Sequence, residues 1–327
     1  MPTHRPTKVG LALSLTLVAA VGCGPKADQA ANPGGGGEKT IHVGYAQLGE
    51  DSDFRRAETA SIKNEAKIRG IDLKYADAQG KQENQISAIR NFIQQKVDAI
   101  LISPVVETGW EPVLKEAKAA NIPVILVDHK AKLEDESLYA CFVGADLVEE
   151  GRRAGKKLAE LLGGKGQVAV IAGLPGSTPA IDREKGFEDA LKGFPDIKVA
   201  FNQNAEWNRA KGKEAMEACL KANRNINGVF SHNDDMGMGA AGAISEAGLK
   251  PGQDVKLVSV DGIKDCLTAI ADGKYSASIE CNPLLGPILF DTVKKVVAKQ
   301  TVDKTIILPD QMFDASNAAK LLPQRQY

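Results

Sequence analysis

The chain has 327 residues, of which 43% are hydrophobic and 25% charged, and its formal net charge is −1. That length suggests about two domains, and the composition is ordinary for a globular protein with a large core. So even a charge balance argues against the basic footprint of a nucleic-acid binder or of a protein held to anionic lipid by charge.

The first element in chain order is a targeting segment. His4, Arg5 and Lys8 form a positive start, and Val9 to Val21 is an apolar run broken by Gly10, Ser14 and Thr16. It is shorter than the roughly 20 apolar residues of a transmembrane helix and fits a signal peptide over residues 1–22. The run ends in Ala20-Val21-Gly22-Cys23, small residues before a cysteine, as in a bacterial lipobox. Cys23 is therefore expected to be lipidated; the plainer alternative is an ordinary signal peptide with an incidental cysteine. Residues 23–39, with Gly34 to Gly37, cannot bury enough apolar surface to fold and read as a flexible tether. The expected location is the cell envelope, periplasmic or extracytoplasmic, with a lipid anchor as the only membrane contact.

From Ile41 strands and helices alternate. Ile41–Tyr45, Leu73–Ala76, Ala99–Ile102 and Val124–Val127 are short runs rich in Val and Ile. Between them, Phe54–Arg69, Lys81–Lys96 and Glu107–Ala120 carry apolar residues at helical spacing, such as Ile86, Ile89, Phe92 and Ile93. A helix from about Leu147 to Leu162 opens a second series. Its strands are Gln167–Ile171, Lys198–Asn202, Gly228–Ser231 and Lys256–Val260; its helices are Ile181–Lys192, Arg209–Ala222, Asp234–Glu246 and Cys266–Asp272. This alternation predicts an α/β fold with two doubly wound parallel-sheet lobes.

Open α/β sheets bind ligands beyond the carboxyl ends of their strands. The residues standing there are Phe54 and Arg55, Ser103, Asp128, Ala180 to Arg183, Trp207, Asn233 and Asp261. Aromatic faces cover the C–H patches of a sugar ring, while carboxylates, an amide and guanidinium groups give directed partners for hydroxyls. Plainer readings exist: Asp128 as a helix cap, Asp261-Gly262 as a turn, Trp207 as core, Arg183 as a surface charge. Yet no helical pattern follows Asp128 at once, Trp207 has polar neighbours, and a cation early in a helix opposes the dipole. Trp110, inside an amphipathic pattern, reads as packing or surface.

Metal and phosphate chemistry find no support. Asn233-Asp234-Asp235 lacks calcium-loop spacing, His129 and His232 are not spaced as a zinc pair, and Gly163-Gly164-Lys165-Gly166 lacks the phosphate-loop order. No nucleophile elbow is present, and no metal or cofactor is expected. Four further cysteines, Cys141, Cys219, Cys266 and Cys281, include no CxxC pair. Cys266 and Cys281, at a helix start and at the end of the next strand, either form a bridge or stay free.

Several segments together carry a resemblance: Phe54 to Thr59, Lys81 to Gln85, Pro104 to Leu114, Ala180 to Arg183, Lys211 to Lys213, His232 to Met236 and Asp261-Gly262. In order and spacing the chain resembles the periplasmic sugar-binding proteins of ATP-driven (ABC) importers, the ribose-binding group, and within it the galactofuranose binders. The resemblance implies two lobes joined by three crossover strands, here near Gly144, Asn282 and Thr305. The first lobe would be residues 40–144 plus 283–305 and the second 145–282 plus 306–327. It implies sugar contacts at Phe54, Arg55, Asp128, Arg183, Trp207, Asn233 and Asp261, with His129, Ser103 and Cys281 also at lining positions. Phe54 stands where the galactofuranose binders have Trp, and His129 where the family usually has Arg. The implied function is that of a monomeric lipoprotein, not an enzyme, which captures a monosaccharide such as galactofuranose or another aldose and delivers it to an importer permease. Presenting the ligand to a sensor or chemotaxis partner is the alternative. A hydrolase using Asp128 and Asp261 is a more distant one, and a repressor lacks its helix-turn-helix domain, since residues 1–40 read as signal and tether.

Overall fold

The computed structural model describes residues 40–327, so the expected signal peptide, Cys23 and tether lie outside the described residues. The first lobe is built from β1 (His42–Gln47), α1 (Asp53–Ile68), β2 (Asp72–Asp77), α2 (Gln82–Gln94), β3 (Ala99–Ile102), α3 (Glu111–Ala119), β4 (Val124–Val127) and β5 (Cys141–Gly144). β3 and β4 read Ala-Ile-Leu-Ile and Val-Ile-Leu-Val and are buried at every position. Unbroken apolar strands of this kind need helices on both faces of a parallel sheet.

The chain then crosses and repeats the plan. The second lobe holds α4 (Leu147–Leu161), β6 (Lys165–Ala172), α5 (Thr178–Leu191), β7 (Asp196–Asn204), α6 (Arg209–Ala222), β8 (Gly228–Ser231), α7 (Asp234–Glu246), β9 (Lys256–Asp261), α8 (Lys264–Ala271) and β10 (Ala277–Glu280). It returns for α9 (Gly286–Val297), which packs on α1, and β11 (Thr305–Ile307), then crosses again to β12 (Met312–Asp314) and α10 (Ala318–Leu321). The six-stranded sheets run β11-β5-β4-β3-β1-β2 and β12-β10-β9-β8-β6-β7, the same plan position by position. Pairings within them are parallel except that of β12 with β10.

Two local readings are revised, and one left open is decided. The third crossing falls later than Thr305, because β11 pairs in parallel with β5 and the Leu308 N–H still donates to the Gly144 carbonyl (2.9 Å). α3 starts at Glu111 and not at Glu107: the Glu107 N–H leaves the lobe to donate to the Gly176 carbonyl (2.8 Å), and Gly109 turns the chain at φ +87°. Cys266 and Cys281 are free, as are Cys141 and Cys219. The pair lies on opposite faces of the second sheet, Cys266 among Ile263, Leu267 and Tyr275, and Cys281 among Val258, Val260 and Ile279. Trp110 is buried packing. Among the described residues no helix is long and apolar enough to cross a membrane.

Candidate ligand cleft

The carboxyl ends of both sheets face one cleft. In the first lobe, Ser52 caps α1 by accepting the Arg55 N–H (3.2 Å), which places Phe54 and Arg55 in the first turn at the cleft. Phe54 reaches across and joins the apolar cluster of the second lobe that includes Ala145, Leu147 and Ala172. The Arg55 guanidinium donates to Glu58 Oε2 (2.8 Å), Asp128 Oδ2 (2.5 Å) and His129 Nε2 (2.6 Å). His129 Nδ1 lies 2.7 Å from the Pro104 carbonyl. It therefore carries the ring proton, and Nε2 is free to accept from Arg55. Burial, and then the Arg55 cation, push His129 down to about 3, so the ring is neutral. Asp128 holds the left-handed backbone (φ 58°) that turns it back over Arg55. Burial, the largest single effect, pushes its carboxyl up, but Arg55 and the other groups facing it, Arg183 among them, together leave it below the ordinary value.

The second lobe answers with the same parts. Arg183, in the second turn of α5, donates Nε to Glu150 Oε2 (2.9 Å) and Nη1 to the His232 carbonyl (2.7 Å). Its Nη2 faces Asp261 Oδ1 at 3.8 Å. Asp261 ends β9 at φ 131°, and burial raises its carboxyl well above the ordinary value. Asn233 caps α7 by accepting the Met236 N–H (2.9 Å), while Nδ2 donates to the Trp207 carbonyl (3.4 Å). Trp207 is presented by two successive left-handed residues, Glu206 (φ 51°) and Trp207 itself (φ 66°). Its indole lies on Gly173, where an added Cβ would sit 1.9 Å from Cη2.

Phe54, Arg55, Asp128, His129, Arg183, Trp207, Asn233 and Asp261 thus line one cleft, together with Leu48, Asp51, Ser52, Pro179 and Glu206, which the sequence reading did not single out. Ser103 and Cys281 do not line it. The Ser103 hydroxyl turns to Tyr45 (3.3 Å), and the Cys281 thiol backs Asp128 Oδ1 (3.7 Å). Glu58 and Glu150 were also unforeseen: each is fully buried and holds one of the two arginines. Arg55-x-x-Glu58 on a predicted helix was the only advance signal for either. Among the described residues no cluster of His, Cys, Asp and Glu could hold a metal ion.

Known proteins agree with this architecture. A family model described as a periplasmic binding protein domain matches residues 43–300. The galactofuranose-binding protein of Escherichia coli is 46% identical over 284 residues, covering 86% of this chain and 89% of that protein. A Mycobacterium smegmatis protein solved with β-D-fucofuranose superposes with a TM-score of 0.86 at 48% identity, covering 88% of this chain and 96% of that one. The binding component of an arabinose ABC transporter from a Shewanella species, solved with α- and β-L-arabinofuranose, gives 0.85 at 46% identity over 88% and 96%. These relatives are solute-binding proteins and not enzymes.

Proposed function

The chain belongs to the periplasmic binding protein family, and from that premise we propose that it captures a neutral monosaccharide in furanose form and hands it to an importer permease. The observation that carries the reading is the pairing of the cleft's two arginines. Both guanidiniums already have buried carboxylate partners, Arg55 with Glu58 and Asp128, and Arg183 with Glu150. Neither guanidinium is left unpaired for a sugar acid or sugar phosphate. What remains is directional polarity between the Phe54 and Trp207 rings, which suits hydroxyls and C–H faces. The furanose form is supported by relatives solved with fucofuranose and arabinofuranose. The reading includes a monomer held to the envelope through a lipid on Cys23.

Thermal unfolding of residues 40–327 against D-galactose, D-fucose, L-arabinose, D-ribose, D-galacturonate and galactose 1-phosphate tests it. A neutral aldose at 100 times its Kd adds about 2.7 kcal/mol, and Asp261→Ala removes the shift. The acids give none. No shift with any neutral sugar, from protein refolded to strip bound ligand, overturns the reading; a shift with the acids alone overturns the charge argument.

A further inference from the structure

Asp261 faces Arg183 in the cleft only at 3.8 Å, and its aim depends on a turn that nothing in the cleft supports. Its φ of 131° is disfavoured for any residue with a Cβ, and Gly262 follows at φ +76°. A turn of this kind persists only if its backbone groups are held from outside. The two amides beyond Asp261 are held from within the lobe: Gly262 N–H donates to Ser278 Oγ of β10 (3.0 Å) and Ile263 N–H to Asp234 Oδ2 at the start of α7 (2.8 Å). The Asp261 carbonyl accepts from the Cys281 N–H (3.3 Å) at the sheet edge, and both carbonyls of the turn are held from the far side by a residue more than sixty positions along the chain. Arg325 donates Nε to the Gly262 carbonyl (2.5 Å) and Nη2 to the Asp261 carbonyl (3.2 Å). Its Nη1 is ion-paired with buried Glu280 at the end of β10, and the guanidinium lies 4.6 Å over the Phe313 ring. Gly262 leaves the space for it: a Cβ there would be 2.6 Å from Arg325 Nη2.

We propose that Arg325 is a positioning residue for ligand capture, which locks the Asp261–Gly262 turn from behind and so aims the Asp261 carboxylate into the cleft without touching the ligand. The proposal rests on the sugar-binding reading above for its consequence, though not for its geometry. A planar guanidinium spans both carbonyls and Glu280 together, which a lysine cannot do. Arg325→Lys therefore keeps the charge beside Glu280 and loses the lock.

The test uses the full chain carrying Arg325→Lys, with Arg325→Ala as a second variant. Amide hydrogen exchange is read at Gly262 and Ile263, and affinity for D-fucose by calorimetry, alone and combined with Asp261→Asn. The expected result is exchange at those two amides about tenfold faster with β8 unchanged, as for local opening. Affinity falls about tenfold in the native background and less than about twofold beside Asp261→Asn, the non-additivity of coupled residues. Unchanged exchange at Gly262 and Ile263 overturns the lock. Equal affinity losses in both backgrounds overturn the link to Asp261 and leave Arg325 a general stabiliser. If the native chain binds no sugar, the sugar reading fails, while the exchange arm still decides the lock.

Discussion

Asp128 and Asp261 stand at matching places, just beyond β4 and at the end of β9, yet their carboxyls move in opposite directions. Burial pushes both up. Asp128 has Arg55 at 2.5 Å and is drawn below its usual range, whereas Asp261 meets Arg183 only at 3.8 Å and stays high. The neighbour of the first is the residue with a testable titration. His129 is held to about 3 by burial first and Arg55 second, far below an exposed imidazole. The folded state therefore refuses a proton that the unfolded chain takes up near pH 6.5. Stability from this group is intact above that pH and is lost as pH falls toward 3. His129→Gln keeps an acceptor for Arg55 but does not titrate. Urea unfolding of both proteins should give a difference that grows in favour of the variant by about 2.5 kcal/mol between pH 7 and pH 4.5. A flat difference would mean that His129 is not held neutral. The residues of the cleft were legible in the sequence because strand ends mark depth in an α/β sheet. Direction was not. Ser103 and Cys281 also follow strands, but their side chains turn to Tyr45 and to the back of Asp128. Glu150 was silent because its partner Arg183 is 33 positions away and meets it only where two helices pack.

Those helices are joined through glycines. An added Cβ at Gly151 of α4 would lie 2.0 Å from the Arg183 carbonyl, and one at Gly186 of α5 would lie 1.9 Å from the Val148 carbonyl. The same device joins α6 to α7, where a Cβ at Gly239 would lie 2.0 Å from the Arg209 carbonyl. Helix propensity alone favours alanine over glycine by up to about 1 kcal/mol, so the sign of a substitution reads the contact directly. Gly151→Ala and Gly186→Ala should each destabilise by about 1–3 kcal/mol, because backbone and not a flexible side chain must move. Both should also weaken sugar binding through the displaced Arg183. Gly242→Ala, in α7 with nothing within 4 Å of its Cβ position, should instead stabilise by about 0.5–1 kcal/mol. Chemical denaturation of the three variants decides it; a loss at Gly242 or none at Gly151 would remove the close-approach argument. Element ends were legible where caps are explicit. Asn208 and Asn233 fix the starts of α6 and α7, and both helices span the residues read from the sequence. α9 was not among the elements read, although Leu289, Phe290 and Val293 carry its buried face. The stretch it occupies was assigned to the first lobe by resemblance alone, so its helical spacing went unused.

The lobes are held together away from the ligand as well as across it. At one rim the Asp53 N–H donates to Asp235 Oδ2 (2.9 Å), with Arg209 3.4 Å from Asp53 and 2.8 Å from Asp235. At the other, the Thr178 hydroxyl accepts from the Lys130 N–H (3.0 Å) and donates to the Lys130 carbonyl (2.8 Å). Contacts between two lobes break when the lobes hinge apart, so these bias the closed fraction on which the apparent affinity depends. The two rims differ in strength. Arg209 is 41% exposed along its side chain, and a pair of that kind contributes about 0.2–1 kcal/mol. Thr178 is buried and satisfies both backbone groups of Lys130, at about 0.5–1.5 kcal/mol for each hydrogen bond. Thr178→Val keeps the shape and removes both bonds. In the open form water can satisfy Lys130, so the cost falls on closure and not on either lobe. The expected outcome is sugar affinity lower by about tenfold or more, with the unfolding midpoint of the ligand-free protein nearly unchanged. Arg209→Ala should cost at most about fivefold, and less at high salt. Small-angle scattering with saturating sugar should return the Thr178→Val protein to the native closed radius, since ligand can still drive closure. Affinity unchanged in this variant would place the closing energy in the sugar contacts alone. A parallel drop in ligand-free stability would instead make Thr178 part of a lobe's own packing.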